Sequence, residues 1–147
     1  MKKFEFNLQP ILGIKEQKEK IEKDKLAKLV YDLNLEKEKL NKLINEANKN
    51  LNQNYKELIN GTKISKLIQY DTYLKALFKS IENQKYVINI LQNSIEVSKK
   101  NLVEISKEKK ALENLKEKKL EEFKYMQNIE YNNFVDEQIS FKTAKSY

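Results

Sequence analysis

Two long hydrophobic repeats run along the chain, and the second is the more regular. In alternating steps of three and four it reads Leu67, Tyr70, Leu74, Leu77, Ile81, Gln84, Ile88, Leu91, Ile95, Ser98, Leu102 and Ile105. Gln84 and Ser98 are the polar interruptions of this heptad seam. The apolar face continues through Leu112, Leu115, Leu120, Phe123 and Met126, while Lys109, Lys116 and Lys119 fall on the old seam. No Gly or Pro follows Gly61. A heptad kept over so many turns predicts a coiled coil rather than a globular helix. A helix of about 60 residues is about 90 Å long, and a single one cannot bury its stripe alone.

The first repeat supplies the partner. From Leu26 its seam reads Leu26, Val30, Leu33, Lys37, Leu40, Ile44, Ala47, Leu51, Asn54 and Leu58, with Ile11, Ile14 and Ile21 on a stripe before it. Lys37 and Asn54 break the seam. A polar seam residue either fixes register at some cost in stability or marks a wet part of the seam. Between the repeats, Asn60-Gly61-Thr62 is the one plausible break: Asn-Gly tolerates positive φ and Gly favours the position just past a helix end. Thr62 or Ser65 is placed to cap the following helix. A short connection makes two long helices antiparallel neighbours.

The predicted fold is therefore all-α, a long antiparallel two-helix coiled-coil hairpin in a single domain. Its parts are an N-terminal arm over 1–10, helix 1 over 11–60, a turn at 61–64 and helix 2 over 65–145. Centring the turn near Gly61 and Thr62 sets Leu58 against Leu67, Leu51 against Leu74, Ile44 against Ile81, Val30 against Ile95 and Asn54 against Asp71. From about residue 116 helix 2 has no intrachain partner. That overhang holds Phe123, Tyr125, Met126, Tyr131 and Phe134. It is either a fraying tail, with Phe4 and Phe6 of the arm folding onto it, or a docking segment; its aromatic content favours docking. Phe4, Phe6 and Leu8 alternate with polar residues, but an isolated strand has nothing to pair with. Pro10 fits the first turn of helix 1, where its missing N–H costs nothing.

Composition agrees with this reading. Charged residues make up 35% of the chain against two glycines and one proline, the balance of a long solvated helix pair. Net charge is +7, and every one of the 29 basic residues is Lys. Lys and Glu alternate, as in KEQKEKIEKDK from Lys15 to Lys25, and Glu16–Lys20, Glu19–Lys23 and Glu38–Lys42 are helix-supporting pairs. Nucleic-acid binding calls for a basic block or face and is served best by Arg, which is absent; no nucleic-acid partner is expected. Without Cys or His there is no disulfide framework, no thiolate chemistry and no common transition-metal ligand. No phosphate-binding glycine loop or catalytic triad occurs. The chain is expected not to be an enzyme and to need no cofactor or metal. No apolar run approaches a membrane span, and no secretion signal is recognisable.

Three stretches together resemble a known family. The N-terminus reads F-x-F-x-L-Q-P-I-L from Phe4 to Leu12, the middle Q-Y-D-T-Y-L-K-A-L-F-K-S-I from Gln69 to Ile81, and the end E-K-K-A-L-E-N-L-K-E-K-K from Glu108 to Lys119, followed by D-E-Q at Asp136 to Gln138. In order and spacing around one turn they resemble FliJ, the small coiled-coil protein of the bacterial flagellar type III export apparatus. The resemblance implies a cytoplasmic protein, peripheral and indirect at the membrane, shaped like the central stalk of rotary ATPases. It implies three partners: the hexameric FliI-like export ATPase ring, the FlhA-like export gate, and export chaperones that it helps to cycle. It also carries gate binding onto Tyr73 and Leu77, while Ser80 and Gln84 depart from the family's stripe. Leu77 and Gln84 belong equally to the seam read above, so Leu77 faces either the partner helix or the gate. The termini, Phe4, Phe6, Phe123, Tyr125, Met126, Tyr131 and Phe134, suit the part that enters the ring. The competing reading is a generic structural coiled-coil scaffold or tether.

Overall fold

The computed structural model describes residues 2–145. Two helices account for nearly all of them: α1, Gln9–Asn60, of 52 residues, and α2, Ile64–Lys145, of 82 residues. There is no strand among the described residues. The helices pack against each other as a hairpin, the architecture that the two heptad repeats predict. The link is three residues, and Gly61 adopts φ 85°. A Cβ there would meet no neighbour, so the demand for Gly comes from its own backbone. Lys63 occupies the N-cap position of α2, its carbonyl accepting from the N–H groups of Lys66 (3.1 Å) and Leu67 (3.3 Å). Neither expected cap holds that position: Thr62 lies one residue before it, and Ser65 lies two residues after it, inside the first turn.

By its contacts the chain divides into two compact units, Ile21–Leu102 and Met1–Lys20 with Val103–Tyr147. Each contains a stretch of both helices. In the Ile21–Leu102 unit the α2 seam is the one read from sequence: Leu74, Leu77, Ile81, Ile88, Ile95 and Ser98 are all buried. The α1 seam is so only in part: Leu26, Leu33, Leu40, Ile44, Ala47 and Asn54 turn inward as read. Val30, Leu51 and Leu58 are 40%, 44% and 56% exposed, and Lys37 faces solvent. In place of those four, Glu22, Leu29, Glu36, Leu43, Asn50 and Glu57 turn inward.

Hydrogen bonding explains why the more polar column wins. Gln84 donates to both the backbone carbonyl (2.9 Å) and the carboxylate of Glu36. Ser98 donates to Glu22 at 3.5 Å, and Tyr70 to Glu57 at 2.9 Å. Lys66 also reaches Glu57, at 3.5 Å. Tyr73, on the flank of the seam, donates to Glu46 at 2.8 Å. Each polar interruption of α2 is thus a donor that meets an α1 carboxylate. Rotating α1 to bury Val30, Leu51 and Leu58 would leave Gln84 and Ser98 buried against apolar neighbours, which costs more than the added apolar contact returns.

The same pairs set the register. Ala47, not Leu51, packs with Leu74, Leu77 and Ile81, with Leu40, Leu43 and Ile44 closing around them. Ile44 and Ile81, expected to face each other, both belong to this cluster, whereas Leu51 does not. The expected Asn54–Asp71 neighbours are not made: Asp71 is exposed and pairs with Lys75 of its own helix at 3.0 Å. Leu77 is 7% exposed and belongs to this core, whereas Phe78 is 49% exposed. The seam, not the outward stripe, holds Leu77.

In the other unit the seam carries a charge pair. Glu19 of α1 is 8% exposed and accepts from Ser106 (3.0 Å) and Lys109 (2.9 Å) of α2. Lys109, which seemed to break the seam, is its cation. Lys15 bridges to Glu108 nearby. Leu12, 2% exposed, is the apolar anchor of this stretch.

Two predictions follow from the seam. Leu77→Ala should lower unfolding stability by about 2–4 kcal/mol through cavity and transfer losses. Tyr73→Ala should cost much less, as expected of one surface hydrogen bond. Urea unfolding followed by circular dichroism measures both, and equal costs would contradict the placement of Leu77. The second concerns acid. Donation from Gln84, then from Lys39, holds the Glu36 carboxyl below its ordinary 4.5, and the hydrogen bond from Lys15 does the same for Glu108. A carboxylate with a depressed folded pKa stabilises fully above its unfolded value and loses that contribution as pH falls through the folded one. Hydrogen bonding to Glu19 raises Lys109, so its contribution is lost only at strongly alkaline pH. The melting temperature should be nearly flat between about pH 5 and 9 and fall below about pH 4.5. Glu36→Gln should show a shallower acid limb in the same melts.

Candidate partner-binding surfaces

The terminal unit presents two apolar grooves. The arm does not wait free: the N–H of Gln9 bonds to the Phe6 carbonyl at 3.0 Å, and that of Leu12 to the Leu8 carbonyl at 2.9 Å. This turn folds the arm back along α2. Phe4 and Phe123 meet with ring centroids 5.6 Å apart and planes inclined at 52°, a tilted geometry that aromatic quadrupoles favour. Gln127 donates to the Lys2 carbonyl at 3.4 Å. Lys2 to Leu8 line one groove, of about 650 Å3, with Leu115, Lys119, Glu122, Phe123 and Met126. The expected bare overhang from residue 116 is therefore covered by the arm as far as Gln127. The apolar arm positions supply the cover, Phe4, Phe6 and Leu8 all being half-buried.

A second groove, of about 600 Å3, adjoins it and is lined by Lys2, Phe123, Met126, Gln127, Asn128, Glu130, Tyr131 and Phe134. Met126, Tyr131 and Phe134 remain 54–61% exposed. Five of the seven ring-directed residues, Phe4, Phe123, Met126, Tyr131 and Phe134, are thus gathered on the arm and one side of α2, and Phe6 joins them in the first groove. Tyr125, 66% exposed, lines neither groove. At about 100° per residue it stands on the far side of the helix from Phe123, so counting aromatics in the tail overstated the surface by one.

The Ile21–Leu102 unit splits the pair assigned to gate binding. Tyr73 is 44% exposed and its hydroxyl is held by Glu46, which raises the phenol's pKa. Leu77 is buried beneath it in the core. Ser80 is exposed, and Gln84 is half-buried in its bond to Glu36. Sequence reasoning missed a further groove here, of about 320 Å3, lined by Asp32, Leu35, Glu36, Val87, Ile90 and Leu91. The signal that could have found it is a second column of uncharged residues beside the α2 seam.

Among the described residues no group of three or more His, Cys, Asp or Glu is placed to hold a metal. No helix among them is long and apolar enough to cross a membrane. What the surfaces offer is shape, apolar area and charge.

A family model, the flagellar FliJ protein, matches residues 4–146. The chain belongs to the FliJ family. It is thereby a component of the flagellar protein export apparatus, and the family is a non-catalytic one. No curated protein and no solved structure matches the chain. The match spans the arm and both helices, so the grooves described above fall within it.

The arm contact generates a local prediction. Phe4→Ala should remove about 1 kcal/mol of aromatic pairing. In hydrogen exchange read by mass spectrometry, residues 2–12 and 119–127 should then exchange about five times faster. Exchange over 21–102 should not change.

Proposed function

We propose that the chain is a non-catalytic stalk of the flagellar export ATPase ring, which also contacts the export gate and helps export chaperones to cycle. The observation that carries the reading is the apolar face of Phe123, Met126, Tyr131 and Phe134 beside the folded arm, in a chain of the FliJ family. A stalk needs rigidity along its length and an apolar end that a ring can grip. Within each compact unit the two-helix seam supplies the first. The exposed aromatics supply the second, since large side chains with few rotamers give most contact for least lost entropy. Phe4 and Phe6 shape the face rather than touch the ring alone. Tyr125, on the far side of α2, contacts a ring only if the ring surrounds the helix, which is what a central stalk requires.

The gate contact falls to Tyr73 and the exposed surface around it, with Leu77 supporting it from the seam beneath. In this reading the protein works in the cytoplasm, at the inner face of the membrane, through its partners. It assists hydrolysis by favouring ring assembly and takes no part in the chemistry.

The test uses the flagellar export ATPase of the same organism. Hydrolysis and ring assembly are recorded with the full chain, with Tyr131→Ser/Phe134→Ser, and with a truncation ending at Leu115. Both replaced side chains are exposed, so the double variant should melt as the parent does. Stimulation by the full chain that drops about tenfold in the double variant, and disappears on truncation, is the expected result. Stimulation retained by both would move the ring contact away from the tail. Absence of binding by the full chain would leave a structural tether as the better account.

A further inference from the structure

The link between the helices carries chemistry of its own. Asn60, the last residue of α1, is followed by Gly61. The side-chain carbonyl carbon of an asparagine lies within reach of the next residue's backbone nitrogen, and joining them closes a five-membered ring. Most following residues shield that nitrogen with a Cβ and resist the backbone rotation that attack requires; glycine does neither. Asn60 and Gly61 are both exposed, and a Cβ at Gly61 would meet open space. Among the described residues no hydrogen bond holds the Asn60 side chain. The end of α1 is also loosely anchored. Its last side-chain bonds to α2 are those of Glu57 with Tyr70 and Lys66. Beyond them Leu58 and Ile59 are 56% and 66% exposed, and Ile64 across the link is 76% exposed. No basic residue in the last turn of α1 offsets the negative end of the helix dipole. Asn54 Oδ1 and Glu57 Oε2 are buried there without a protein donor, so opening the turn returns two stranded acceptors to water. A turn held this weakly opens at small cost, and opening frees the Asn60–Gly61 peptide to rotate.

We infer that Asn60 is a site of spontaneous covalent modification, deamidating through a succinimide to aspartate and isoaspartate. The Gly61 nitrogen, its proton lost to solvent base, attacks the Asn60 side-chain carbonyl carbon. A nitrogen–carbon bond forms, the side-chain amide bond breaks, and ammonia leaves with a proton taken from water. Water then adds to one of the two ring carbonyls and opens the ring. Opening at the backbone carbonyl leaves the chain running through the former side-chain carbon, which is isoaspartate; opening at the other leaves aspartate. Water is the only co-reactant, and no electrons change hands. Either product lowers the net charge of +7 by one and sets a carboxylate at the C-terminal end of α1, where the dipole disfavours it. Isoaspartate also inserts a methylene into the backbone of the link itself. Sequence alone would nominate a second site, since Asn93 precedes the small Ser94 and is exposed. That pair lies in the middle of α2, where the Ser94 nitrogen is committed to the helix ladder and cannot turn to attack. The inference uses neither groove and does not depend on the stalk reading.

The test holds the folded full chain for days near neutral pH, digests samples with trypsin and follows two peptides by mass spectrometry. Residues 57–63 carry Asn60 as their only amide side chain, and residues 86–99 carry Asn93. The first peptide should become about 1 Da heavier and split into two products in chromatography, the isoaspartate form being a substrate for an isoaspartyl methyltransferase. The second should stay unchanged. The rate in the folded chain should lie within about tenfold of that in the free 57–63 peptide, because the last turn of α1 opens readily. Asn60→Gln, at an exposed position, should melt as the parent does and lose the mass gain, since glutamine must close a larger and slower ring. A folded-chain rate slower than that limit, a gain of equal size in residues 86–99, or a gain in residues 57–63 that survives Asn60→Gln would overturn the proposal.

Discussion

The structure depends on carboxylates of α1 meeting donors of α2 within the seam. Glu22, Glu36 and Glu57 turn inward, and Ser98, Gln84 and Tyr70 receive them; Glu19 meets Ser106 and Lys109 in the terminal unit. A heptad stripe of Leu and Ile can slide by a turn with little change in buried area. A row of polar pairs cannot, because each slip strands several groups away from water at once. The apolar layers, such as Leu74, Leu77 and Ile81 against Ala47, hold the helices together. The polar layers decide which residues lie opposite which, and therefore which side chains are left outside.

What is left outside is the part available for function. Because Leu77 serves the seam, Tyr73 stands out from the surface alone. Because α1 turns Glu36 inward rather than Lys37, Leu35 stands at the edge of the groove with Val87 and Ile90. In the terminal unit the arm covers the first turns of what would be a bare helix and stops near Gln127, so the aromatics beyond it form a bounded face. None of this is chemistry in the catalytic sense. It is a set of apolar patches, held in place within each unit by the helix pairing, which suits a component of a protein export machine.

The hairpin was legible because α2 keeps one heptad phase from Leu67 to Ile105 and the helix-breaking signal Asn60-Gly61 sits between the repeats. The α1 face was legible only in part: Leu26, Leu33, Leu40, Ile44 and Ala47 were placed inward correctly. Choosing the most apolar column put Val30, Leu51 and Leu58 inside, whereas the inward column is only partly apolar. Hydrophobic periodicity counts burial but does not register that a buried donor on one helix calls for an acceptor on the other. The information was present: Gln84 and Ser98 interrupt the α2 seam, and each needed a partner. The arm was undervalued for a related reason. Its alternating Phe4, Phe6 and Leu8 read as a strand with no sheet, while their true complement is the Leu115–Met126 side of α2. Tyr125 could have been set apart from Phe123 by angle alone.

The three-residue link at Gly61 has a consequence for assembly. Every α1–α2 contact would be equally satisfied if α1 of one molecule paired with α2 of another, so the seam itself does not distinguish one chain from an exchanged pair. The choice belongs to the link. While it bends, the helices meet at an effective concentration in about the millimolar range, far above that of a scarce protein in dilute solution. Gly61 supports the bend by holding a φ of 85° that other residues resist. The stiffness of a few backbone bonds thus governs the stoichiometry of the folded unit.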